Sequence, residues 1–172
     1  MAIVIFSGKQ FSGKDTLAKI MLEKMPNFKR CAMGDIIKKT YGEQHGLTYE
    51  QIEANKAKYR PDLIALGNWG RAQDKDYWLK KIVSQDGDIF VTDVRMLHEY
   101  EVFKSAGATS IRVEASYDAR SARGQIVNAN DPTETELDGV KDWDYIVENN
   151  STLSNLTAKA EELVKKLTSS KG

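Results

Sequence analysis

Residues 3–16 read Ile3-Val4-Ile5-Phe6-Ser7-Gly8-Lys9-Gln10-Phe11-Ser12-Gly13-Lys14-Asp15-Thr16, an apolar β-branched run followed by glycines and lysines. The run has the composition of a buried strand, and Leu17, Ile20, Met21 and Met25 behind it share one helical face. Between them Gly8 to Lys14 match G-x-x-x-x-G-K. In that context the glycines let the chain turn so that successive backbone N–H groups point inward. Such a loop cradles phosphate oxygens at a helix N-terminus, where the helix dipole also favours anions. Lys14 is then placed to reach β- and γ-phosphates.

Asp15 departs from the pattern, which ordinarily has Ser or Thr there to offer a hydroxyl to Mg²⁺. Two readings stand. A carboxylate binds Mg²⁺ directly or through water, or it caps the helix that begins in the loop. Thr16 follows and offers its hydroxyl to a phosphate oxygen.

Further strands are expected at Asp88–Thr92, Thr109–Glu114 and Tyr145–Val147, with a weaker one at Lys29–Met33, and the first at Ala2–Phe6. Helical patterns separate them. Leu63, Leu66, Gly67 and Gly70 share a face, with Pro61 suited to a helix start. Asp74 is a candidate cap for a helix over Lys75–Ser84, and Leu97, Val102 and Phe103 mark another before Gly107. Leu153, Leu156, Ala160, Leu163 and Leu167 form the stripe of a C-terminal helix that packs on a sheet. Strands alternating with helices predict a three-layer α/β/α fold with about five parallel strands, the glycine-loop strand central. Residues 1–172 read as one domain. The charged, weakly periodic segment 115–142 is long for a plain connection and reads as a lid.

Composition narrows the function classes. Lys plus Arg and Asp plus Glu number 25 each, so the net charge is zero and no basic surplus points to long nucleic acids. The single cysteine, Cys31, sits in an apolar stretch, reads as a small buried hydrophobe and fits a reducing, cytoplasmic compartment. No stretch approaches the ~18 apolar residues of a membrane span. His45 and His98 have no partners at ligand spacing, so no zinc site is expected. No nucleophile arrangement is visible, which favours direct transfer over a covalent intermediate. Phosphoryl transfer needs mainly positioning and charge neutralisation.

Charged residues suited to that task recur along the chain. Asp93 and Arg95 fall just past a buried strand, at the edge where ligands bind in open α/β sheets. Asp93 suits Mg²⁺ or its waters, and Arg95 an acceptor phosphate. Arg120 and Arg123, three apart, share a helix face and suit a clamp closing over the transferring phosphates. Lys56 and Arg60 lie four apart, and Arg71 follows Gly67 by four. With Asp35 and Lys38, these are candidates for an anionic acceptor pocket. For each of these groups, a solvated surface charge is the competing reading.

The chain resembles small P-loop kinases of the nucleoside-monophosphate-kinase type, in two families. It is similar to phage-type deoxynucleotide monophosphate kinases in SGKQFSGKDT, LIALGNWGRAQDKDYWLKKI, TDVRMLHEYEVFKSAGATSIRV, TETELDG and YIVENNSTLSNL. It is similar to animal-type phosphomevalonate kinase in FSGKQFSGKD, YGEQHGL, DVR, RSARG and DWDYIVENN. The latter family has a basic loop interior and two adjacent arginines after the strand. Here Gln10-Phe11-Ser12 and Arg95-Met96 stand instead. Those departures favour the nucleotide kinases, although this chain is shorter than their typical members.

The resemblance implies that Gly8, Lys9, Gln10, Phe11, Ser12, Gly13, Lys14, Asp15 and Thr16 hold the phosphates of ATP. It implies that Asp93 and Arg95 face acceptor and metal, that Arg120 and Arg123 are lid arginines, and that Asn149 lies near the adenine or ribose. The expected reaction is ATP plus an acceptor monophosphate giving ADP plus the diphosphate, with Mg²⁺. The lead acceptor is a deoxynucleoside monophosphate and the runner-up phosphomevalonate. A nucleotide-binding module without transferase activity and a kinase of bases in DNA are outside alternatives. No guanine-reading N-K-x-D is present, since Asn55-Lys56-Ala57-Lys58 lacks the aspartate. A phosphorylated small molecule is the expected partner, and a homodimer is compatible with the sequence.

Overall fold

The structure is a computed structural model and describes residues 2–169. In chain order the elements are β1 (Ile3–Ser7), α1 (Lys14–Lys24), β2 (Phe28–Arg30), α2 (Asp35–His45), α3 (Tyr49–Ala54), α4 (Lys56–Gln73) and α5 (Tyr77–Val83). There follow β3 (Asp88–Val91), α6 (Leu97–Ser105), β4 (Thr109–Glu114), α7 (Tyr117–Arg123), α8 (Pro132–Thr135), β5 (Tyr145–Glu148) and α9 (Leu153–Ser169). They gather into two compact units. The first takes the residues up to Arg30 and those from Gly87 onward, and the second Cys31–Asp86.

The first unit holds a five-stranded sheet in the order β2-β3-β1-β4-β5, with every neighbouring pair parallel. Flanked by helices, it is the expected three-layer α/β/α architecture, with the strand ahead of the glycine loop central. All five residues of β1 are buried, as an inner parallel strand requires. On one face Leu17, Ala18 and Met21 of α1 and Leu156, Ala160, Leu163 and Leu167 of α9 join Val4, Phe6, Phe90, Ile111 and Val113 in one core. Phe90 lies between Phe6 and Phe28, with ring centroids 5.0 and 4.9 Å away. Leu153, expected on the α9 stripe, is exposed at the helix start.

The second unit is helical. Ile36 and Tyr41 of α2, Ile52 of α3 and Trp78, Leu79 and Ile82 of α5 are buried. Trp78 Nε1 donates to the Gly67 carbonyl at 3.0 Å. α3 starts with a reciprocal cap between Thr48 and Gln51. Cys31 is buried, as its apolar setting suggested.

Three local expectations need correction. β2 runs over Phe28–Arg30, earlier than Lys29–Met33, because the anchoring residue is the buried Phe28. Pro61 does not start a helix. It lies inside α4, which begins at Lys56 and forgoes the one N–H bond that the proline ring cannot make. Asp74 does not cap at Lys75. Its carboxylate accepts from the Asp76 N–H at 2.9 Å and pairs with Lys80, and α5 starts only at Tyr77. Among the described residues no helix is long and apolar enough to cross a membrane.

Candidate active site

The phosphate-binding loop occupies the carboxyl end of β1. The Ser12 N–H closes a turn onto the Lys9 carbonyl at 3.0 Å, and α1 begins with Leu17 N–H donating to Gly13 at 2.9 Å. The N–H groups ahead of that bond have no acceptor within the helix, so they remain for a ligand. Gly13 has φ 97°, and a Cβ there would meet Asn149 Nδ2 at 2.2 Å. Gly8 has no room either, with the Ser12 hydroxyl 2.4 Å and the Val113 carbonyl 2.8 Å from where a Cβ would stand. Lys14 is buried. Its ammonium donates to the Thr92 carbonyl at 3.2 Å and stands 3.6 Å from the Asp15 carboxylate.

A cavity of about 370 Å³ opens over this loop, lined by Gly8 to Thr16 together with Arg95 and Glu134. Asp15 and Thr16 are exposed at the start of α1. The N-cap position of that helix is Gly13, which has no side chain to cap with, and Asp15 is the second residue of the helix. Asp93 is half-buried in the chain that follows β3. Asp15 and Glu134 are the carboxylates on the cavity's described lining, the ligand type that a hard divalent cation takes, and Asp93 lies outside that lining.

The arginines of α7 hold the loop from behind. Arg123 donates to the carbonyls of Phe11 at 2.9 Å, Ser12 at 3.4 Å and Asn149 at 2.6 Å. Arg120, buried, donates to Ala115 at 3.2 Å and reaches the Gln10 carbonyl at 3.5 Å. Asn149 is buried as well and donates from Nδ2 to Ser12 O at 2.9 Å. A loop whose N–H groups face a ligand turns its carbonyls away from it. Those outward carbonyls need donors, and Arg120, Arg123 and Asn149 supply them.

Three groups at this site were not read as functional from the sequence. Arg112, in the middle of β4, is buried and donates to Ser7 Oγ at 2.7 Å and to Asp138 at 3.4 Å. Burial pushes its guanidinium down, against the pull of the Asp138 charge. Asp138 also accepts from Lys9 at 3.1 Å. Glu134 Oε2 accepts the Gln10 N–H at 3.1 Å. The available signal was Arg112 itself, a charge within the apolar strand Ile111-Arg112-Val113, which demands a buried partner.

In the second unit Lys38, Lys56, Arg60 and Arg71 line one cavity of about 660 Å³ with Ile37, Leu63 and Ile64. Glu53 stands beside two of them, accepting from Lys38 at 2.5 Å and Lys56 at 2.9 Å. The Lys38 hydrogen bond, then that of Lys56, holds the Glu53 carboxyl below the usual carboxylate range. Asp35 is not part of the lining. Its carboxylate accepts from the Ala32 N–H at 2.8 Å and the Tyr49 hydroxyl at 3.2 Å.

A buried parallel strand, a glycine loop shaped by close packing and a lysine at the helix start define a P-loop nucleotide-binding fold. Family models of phosphomevalonate kinase and of deoxynucleotide monophosphate kinase match residues 6–109 and 62–160. Each covers more than half of the chain, and the chain belongs to both of these related P-loop kinase families.

The chain is 27% identical over 172 residues to phosphomevalonate kinase of Drosophila melanogaster, covering 89% of this chain and 90% of that one. It is 28% identical over 187 residues to a UPF0200 protein of Sulfurisphaera tokodaii, covering 96% and 97%. Among solved structures, Mycobacterium tuberculosis APS kinase in complex with AMPPNP and APS is similar in fold, with TM-score 0.54, 14% identity and 97% of each chain covered. Shikimate kinase from Acinetobacter baumannii in complex with shikimate gives TM-score 0.53 at 13% identity, covering 99% and 95%. The protein is therefore a phosphotransferase of the kinase type.

Proposed function

We propose that the protein transfers the γ-phosphoryl group of ATP to the phosphate of a small monophosphate, most simply a deoxynucleoside monophosphate, giving ADP and the diphosphate. The observation that carries this reading is the buried Lys14 at the start of α1, in a loop whose glycines leave no room for side chains. The acceptor phosphate is already a nucleophile, so no general base is required. Lys14 and the N–H groups at the α1 start stabilise charge on the moving phosphoryl group. Arg95 lines the same cavity and would meet the reacting phosphates. Arg120 and Arg123 fix the loop's shape through its carbonyls, and the segment 115–142 that bears them acts as the lid. Asp15 and Asp93 would hold Mg²⁺, which when bound neutralises phosphate charge. Asn149 stands behind the loop on the side proposed for the nucleoside of ATP.

The acceptor would enter the cavity of the second unit, its phosphate met by Lys38, Lys56, Arg60 and Arg71. The deoxynucleotide reading rests on Gln10-Phe11-Ser12 and Met96, which lack the charge expected for more anionic ligands. One observation favours phosphomevalonate. The cavity is lined by aliphatic side chains and four cations, with no aromatic ring among the described residues of its lining to stack on a base. Acceptor-dependent ADP release from Mg-ATP tests the proposal, with each deoxynucleoside and ribonucleoside monophosphate and phosphomevalonate offered in turn. Turnover with deoxynucleotides supports the lead reading, and turnover with phosphomevalonate alone selects the second. Silence with every acceptor overturns both.

A further inference from the structure

The phosphate cavity contains a group that a phosphate-binding loop does not need. Glu134 lines it and takes the Gln10 backbone N–H at 3.1 Å. Four residues on, Asp138 takes the Lys9 ammonium at 3.1 Å and the Arg112 guanidinium at 3.4 Å. Thus two carboxylates from one short stretch occupy two donors of the loop, the Gln10 N–H and the Lys9 ammonium. Between them Leu137 is only 3% exposed, which pins the stretch in place.

The same stretch is tied down upstream. The Gln10 side chain donates to the Val127 carbonyl at 2.6 Å and accepts the Val127 N–H at 3.2 Å. The loop is therefore strapped by 127–138. One N–H gives one strong hydrogen bond at a time, so Glu134 and a phosphate oxygen compete for the Gln10 donor. A polyphosphate in the same cavity of about 370 Å³ would also be repelled by the carboxylate.

We propose that Glu134 is an internal competitor for the phosphate cradle and sets the affinity of this loop for nucleotide, with Asp138 anchoring the strap to Lys9 and Arg112. This inference rests on the reading of the loop as the ATP-phosphate site. Nucleotide binding lifts Glu134 from Gln10, and the strap re-docks when the site empties. The carboxylate thereby also spares the loop an unpaired N–H between turnovers.

Calorimetric titration of the whole chain with Mg-ATP, inorganic tripolyphosphate and adenosine tests it, using wild type, Glu134→Gln, Glu134→Ala and Lys14→Ala. Glu134→Gln keeps the side-chain shape and guards against loss of folding in the alanine variant. Glu134→Ala is expected to bind Mg-ATP and tripolyphosphate about five-fold tighter or more, and Glu134→Gln, uncharged but with an amide oxygen that still accepts the Gln10 N–H, tighter by a smaller factor, with adenosine unchanged. If Lys14→Ala weakens both polyphosphates while the Glu134 variants bind them no tighter than wild type, the cradle stands and the internal competitor is overturned. If neither wild type nor any Glu134 variant binds a polyphosphate, the cradle reading falls and the competitor with it.

Discussion

Asn149, at the end of β5, donates its side-chain N–H to the carbonyl of Ser12 at 2.9 Å, joining two residues 137 positions apart. The same carbonyl lies 3.4 Å from the Arg123 guanidinium. The phosphate loop is thus shaped from outside by donors that no residue within the loop provides.

Replacing Asn149 with Ala leaves the Ser12 carbonyl short of a donor in a buried place. The expected cost is about 1–3 kcal/mol of stability. A larger effect falls on catalysis, roughly ten- to a hundred-fold in kcat/KM for ATP, because the loop loses its fixed geometry. Thermal unfolding and steady-state kinetics measured together check this. Unchanged kinetics would show that the loop holds its shape without Asn149.

Arg123 reaches three carbonyls with one planar fork. Lysine carries its three donors on one nitrogen and cannot reproduce that spread pattern. Arg123→Lys is therefore expected to resemble Arg123→Ala, each raising KM for ATP about five-fold or more. A lysine variant with wild-type KM would mean that only charge matters at this position.

Much of this was open to inspection in the sequence, and the division has a physical cause. β1, β3 and β4 are short runs buried by their own composition, β5 is equally apolar but leaves Ile146 exposed at the sheet edge, and the glycine loop is encoded in contiguous residues. Helical spacing paired Lys56 with Arg60 alone; that Lys38 of α2 and Arg71 line the same cavity, and Asp35 does not, is visible only in the fold. What stayed hidden depends on side chains meeting across long separations. Arg112 finds Ser7 and Asp138, Gln10 finds Glu134, and Arg120 and Arg123 turn to carbonyls rather than into the cavity. Glu53, which pairs with Lys38 and Lys56 of the second unit's cavity, carries no motif that would single it out in the sequence. Pro61 misled for a related reason, since a helix with enough support on both sides tolerates the loss of one hydrogen bond.

Glu53 gives a prediction with a definite pH dependence. Its folded carboxyl titrates below the ordinary value of about 4.3. The stability it contributes is therefore complete above that value and is lost as pH falls through the lower folded one. Wild type should exceed Glu53→Gln in stability at neutral pH, and the gap should close only below about pH 4. Urea unfolding of both proteins at several pH values measures it, and a gap that does not change down to pH 3, within roughly the titration range of a depressed carboxyl, contradicts it.

Asp144 ties the segment before β5 to β4. Its carboxylate accepts from the Ser110 N–H at 2.8 Å, the Ser110 hydroxyl at 3.2 Å and Lys104 at 2.8 Å. Burial pushes its carboxyl up, but these donors outweigh that and hold it below the usual range. Asp144→Ala is expected to cost about 1–3 kcal/mol of stability and to leave KM for ATP unchanged. Chemical denaturation with parallel kinetics checks both parts, and a raised KM would show that the β4–β5 link reaches the nucleotide site.

The proposed reaction moves a phosphoryl group from ATP to a phosphate acceptor at Lys14 and the loop around it. The most direct measurement follows γ-³²P from labelled ATP into the isolated acceptor product, for wild type and Lys14→Ala, across deoxynucleoside monophosphates and phosphomevalonate. The account predicts label in the acceptor diphosphate with wild type and a loss of about a hundred-fold or more with the folded Lys14→Ala variant. Label appearing at an undiminished rate in Lys14→Ala, or released only as inorganic phosphate by wild type, would contradict it.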